Sequence, residues 1–69
     1  MSTTSAALQH LRSASDSLVA AYAEIMHALP RLHGARKNRA AEIATHLNEV
    51  IDHLDQLLIL VEGDLTAGQ

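Results

Sequence analysis

Apolar side chains recur at alternating steps of three and four through two long stretches of this chain, and one break separates them. The first series is Leu8, Leu11, Ser15, Leu18, Tyr22, Ile25, Leu29 and Leu32, and the second is Ala40, Ile43, Leu47, Val50, Leu54, Leu57 and Val61. Successive residues of an α-helix are about 100° apart, so this spacing aligns the residues on one face as the a and d sites of a heptad. A strand would require a step of two.

Each series has an apolar flank beside its seam. Val19 and Met26 follow the first seam at e sites, and Ala44, Ile51 and Leu58 follow the second. A stripe of a, d and e sites is wider than a two-stranded coiled coil uses and suits a helix with several neighbours. The first helix also carries Ala7, Ala14, Ala21 and Ala28, an alanine at every seventh position. Alanine is the best helix former, and a flank of small residues also lets another helix approach closely.

The boundaries come from capping chemistry. Ser5 offers an N-cap hydroxyl, Pro30 is incompatible with a helix interior, and Asn38 offers a second N-cap. Gly63 suits a helix end. The sequence therefore predicts a helix over 5–29, a connection over 30–37, a helix over 38–62 and a frayed tail over 63–69. Two helices of equal length with a short connection form an antiparallel hairpin, so the fold class is all-α.

Such a hairpin cannot hide all its apolar surface. Leu57, Leu58, Ile59, Leu60 and Val61 are five consecutive aliphatics that point all around a helix axis. A single domain of 69 residues rarely builds a sufficient core alone. The chain has no cysteine, so no disulfide compensates. Self-association into a four-helix bundle, with a homodimer favoured, is the expected remedy. The expected interface is Val19, Tyr22, Met26, Ile51 and Leu54 together with the run from Leu57 to Val61. These properties match a small non-enzymatic interaction protein that regulates, adapts or chaperones a protein partner.

The polar residues supply two alternatives. Arg31, Arg36, Lys37 and Arg39 gather at the connection, whereas the acids fall mainly on the second helix. Two hairpins stacked antiparallel would set basic tips against acidic ends, and a basic tip can also hold an anion, nucleic acid included. The net charge of −3 and the single aromatic, Tyr22, oppose that use. Glu42, His46, Glu49 and His53 form a helical stripe on the flank of the second seam. Glu and His at such spacing can share a metal, although His46 and His53, at positions flanking the core, also suit half-exposed structural roles.

Other functions find little support. No nucleophile is paired with a base, and no Gly-rich phosphate loop is present, so no enzyme activity and no cofactor are expected. No apolar run approaches the roughly 18 residues of a membrane span. The N-terminus lacks the pattern of a secretory signal, and the expected location is cytoplasmic.

Overall fold

The computed structural model describes residues 3–67, with side chains placed for 5–65. Helix α1 spans Thr3–Ala28, a 3-10 turn spans Leu29–Arg31, and helix α2 spans Gly34–Ala67. The two helices pack antiparallel as a hairpin. At 1.5 Å per residue they are about 39 and 51 Å long, consistent with Cα extents of 53 × 16 × 12 Å. The result is a rod. Its radius of gyration is 15.9 Å, against ~11 Å for a compact globule of this length.

Pro30 ends α1 as its chemistry requires. The tight turn closes with the Leu32 N–H donating to the Leu29 carbonyl at 3.1 Å, and Leu32 itself is extended at φ −103° and ψ 157°. Gly34 then starts α2 at φ +62°. This is the left-handed region, where a Cβ would crowd the backbone.

Three boundary expectations are corrected. Ser5 lies inside α1, because the helix already begins at Thr3. Asn38 lies inside α2, because the left-handed glycine at 34 starts the helix earlier. Gly63 does not stop α2, which continues to Ala67 because Leu65 still has a half-buried position to fill. Residues 68 and 69 of the expected tail lie outside the described residues.

The seam of α1 is the one its spacing predicts. Leu8 is buried, and Leu11, Ser15, Leu18, Tyr22, Ile25, Leu29 and Leu32 are half-buried. The seam of α2 is rotated by one site. Its covered residues are Ala40, Ala44, Leu47, Ile51, Leu54, Leu58, Val61 and Leu65. Ile43, Val50 and Leu57, expected in the seam, are 46%, 48% and 44% exposed. Both flanks of the α2 stripe are apolar, so either could face α1. Burying Ala44 rather than Ile43 leaves room for Tyr22 and Leu29, which line the groove beside Ala44.

Candidate functional site

The seam defines two sides of the hairpin. Arg12 and Glu62 each sit one step after a seam residue, Leu11 and Val61, and their side chains meet at 2.6 Å. They mark one side and record the antiparallel register. Val19 and Met26 share that side, seven and fourteen residues beyond Arg12. An open groove of about 280 Å³ lies there, between Tyr22, Met26 and Leu29 and the facing Ala41, Ala44, Thr45 and Asn48 of α2. The Thr45 hydroxyl donates to the Ala41 carbonyl at 3.1 Å, so it satisfies itself within its own helix.

The opposite side carries the residues one step before the seam. On α1 the row nearest the seam is Ala14, Ala21 and Ala28, and on α2 it is Ile43, Val50 and Leu57; all six are exposed. Ser17, Glu24, His46 and His53, each also one step before a seam residue, stand farther out on the same side. The α2 row begins with Arg36 at the tip and ends with Asp64 near the open end, each seven residues from its neighbour in the row. The seam keeps its seven-residue repeat from Ala44 to Leu65, so the row stays on one side along the helix.

The structure divides the expected interface residues among different surfaces. Tyr22, Ile51, Leu54, Leu58 and Val61 are half-buried between the two helices of one chain. Val19 and Met26 lie on the Arg12 side and Leu57 on the opposite side. Ile59 and Leu60 point outward from α2, 68% and 66% exposed. Sequence reasoning did not place Ile43 and Val50 on an open face. The signal available was the alanine flank of α1, which marked a side where a neighbour could approach.

The basic tip is solvated. Arg31, Arg36, Lys37 and Arg39 are all exposed, and Arg39 approaches Glu42 at 3.9 Å. The stripe of Glu42, His46, Glu49 and His53 faces outward rather than flanking the seam, since the rotation of α2 carries it away from α1. His46 Nδ1 lies 3.8 Å from Glu49. Among the described residues no group of three or more His, Asp or Glu side chains is arranged to hold a metal ion. No helix among them is long and apolar enough to cross a membrane.

The amount of open surface is the dominant property. Among the described side chains only Leu8 and Ala44 are buried. The chain exposes 5338 Å², where a folded monomer of 7.4 kDa would expose ~4,200 Å². The excess of about 1,100 Å² is comparable to the roughly 800 Å² each partner contributes to a standard interface. Comparison with protein-family models, with curated proteins and with solved structures found no match.

Proposed function

We propose that this chain is a small, non-enzymatic interaction protein of the cytoplasm, a helical hairpin that self-associates into a four-helix bundle and serves a protein partner as regulator, adaptor or chaperone. The carrying observation is the imbalance between two buried side chains among the described residues and about 1,100 Å² of surplus surface. Apolar burial stabilises by roughly 25 cal/mol per Å², so covering even half of that surplus as apolar surface is comparable, before the costs of association, to a small domain's stability of about 5–15 kcal/mol. Light scattering on the purified chain tests the first half, with a mass of two chains expected and a mass of 7.4 kDa contradicting it. Ile59 and Leu60, on the outward face of α2, are the residues assigned to the partner. Capture of one defined protein from native extract, lost on changing both to Ser, tests the second half.

A second reading rests on the clustering of Arg31, Arg36, Lys37 and Arg39 at the tip, which supports nucleic-acid binding by a dimer. The net charge of −3 opposes it, most strongly at low salt where repulsion is least screened. A retardation assay with duplex DNA and looped RNA at low salt separates the two, because only the second reading gives a shift at micromolar protein.

A further inference from the structure

We propose that a second copy of the chain covers the face formed by Ile43, Val50 and Leu57 of α2 and Ala14, Ala21 and Ala28 of α1. The two hairpins run in opposite directions, so that each basic tip lies against the partner's acidic end. The inference rests on the self-association proposed above and gives it a face and a polarity.

The other surfaces fit a second copy less well. The Arg12 side is interrupted by the exposed Arg12–Glu62 pair and by Asn48 and Asp55, which would have to be desolvated. The outward patch consists of Ile59 and Leu60 alone. The alanine side presents an apolar row beside the seam on both helices, Ala14, Ala21 and Ala28 with Ile43, Val50 and Leu57, and its polar residues Ser17, Glu24, His46 and His53 stand farther out.

The polarity follows from one row of α2. Arg36, Ile43, Val50, Leu57 and Asp64 stand seven residues apart, with a cation at one end, an acid at the other and Val50 in the middle. Laid antiparallel on its own copy about an axis at Val50, the row is self-complementary: Arg36 meets Asp64, Ile43 meets Leu57, and Val50 meets Val50. The Arg12–Glu62 register places Ala21 within a turn of the level of Val50. The same axis therefore lays the alanine row of α1 antiparallel along its own copy, to within about two turns of exact register. Alanine on alanine allows the two α1 helices to approach at the short end of the usual 8–10 Å spacing.

Stacking in the same direction would instead bring four cations from each copy to one end. The rod is 53 Å long, several times the ~8 Å screening length at physiological salt. Each end therefore responds to its own local charges, and apposed tips would repel with no relief from the distant acids.

The test uses the absence of cysteine. A nitroxide attached through Ala35→Cys, in the exposed first turn of α2, reports the tip-to-tip distance in the dimer by pulsed electron resonance. The expected separation is about 45 Å, twice the fifteen residues from Ala35 to Val50 at 1.5 Å each. A separation under roughly 20 Å, about two interhelical spacings, overturns the polarity. Absence of any dipolar signal overturns the self-association beneath it.

The face is tested separately. Val50→Glu is expected to weaken the dimer about 100-fold, whereas Val19→Glu, on the other side, leaves it intact. Loss of helix together with loss of the dimer in Val50→Glu supports the proposal equally, since folding and association are then linked. A Val50→Glu chain that dimerises like the parent, or a Val19→Glu chain that does not dimerise, overturns the face.

Discussion

The guanidinium of Arg12 and the carboxylate of Glu62, fifty positions apart in sequence, meet at 2.6 Å across the open end of the hairpin. The pair records which side of each helix faces which, and the other surfaces can be placed relative to it. Both side chains remain largely exposed, so water screens the attraction. Arg12→Ala or Glu62→Ala is expected to cost no more than about 1 kcal/mol, and less in 1 M salt. A double-mutant cycle in denaturant measures the coupling directly. A value well above that range would mean that the pair holds the hairpin together rather than recording its register.

The two helical glycines respond in opposite directions to the same substitution. Gly34 sits at φ +62°, so Gly34→Ala is expected to destabilise by about 1–2 kcal/mol. Gly63 lies within α2, and nothing stands within 4 Å of where its Cβ would be. Gly63→Ala should stabilise by roughly 0.5–1 kcal/mol through helix propensity. Thermal melts of the two variants beside the parent check the opposite signs.

The aliphatic run from Leu57 to Val61 splits by direction. Leu58 is half-buried against α1, and Leu58→Ala should cost about 1–2 kcal/mol in lost burial. Ile59 is largely exposed, and Ile59→Ala should fall within about 0.5 kcal/mol. Equal effects at the two positions, measured by urea unfolding, would mean that the outward face is covered in the folded assembly.

The row ending in Arg36 and Asp64 gives an electrostatic prediction with a definite sign. Arg36→Asp or Asp64→Arg alone places like charges together in the antiparallel dimer and should weaken it about tenfold at low salt. The double exchange in one chain should restore the affinity. Sedimentation of the four proteins at two salt concentrations reads the effect, and failure of the double exchange to recover argues against apposition of those two residues.

Much of the fold was legible because two levels of the sequence agreed. The three-four spacing from Leu8 to Leu32 named every covered position of α1 and of the turn after it among the described residues, and Pro30 ended that helix. Helix α2 was harder, because its stripe is apolar at Ile43 and at Ala44, at Val50 and at Ile51, and at Leu57 and at Leu58. Spacing alone does not choose between such neighbours. The choice depends on volume across the seam, where Tyr22 and Leu29 need a small residue opposite. The caps misled for a related reason. Ser5 and Asn38 suit helix starts, but Gly34 begins α2 through its backbone conformation, and Leu65 extends that helix past Gly63. The candidate interface was legible only as a need for cover. Its location depended on the one-site rotation of α2, which moved Ile51 and Leu58 inward and opened the row containing Val50.

The dependence of this fold on a second copy is tested most directly by thermal unfolding at several protein concentrations. When folding is linked to dimerisation, the midpoint shifts with concentration by mass action. The midpoint is expected to rise steadily over a hundredfold range, from low to high micromolar chain. A cooperative transition with one unchanging midpoint across that range would show that the single hairpin is stable unaided, and would contradict the need for borrowed cover.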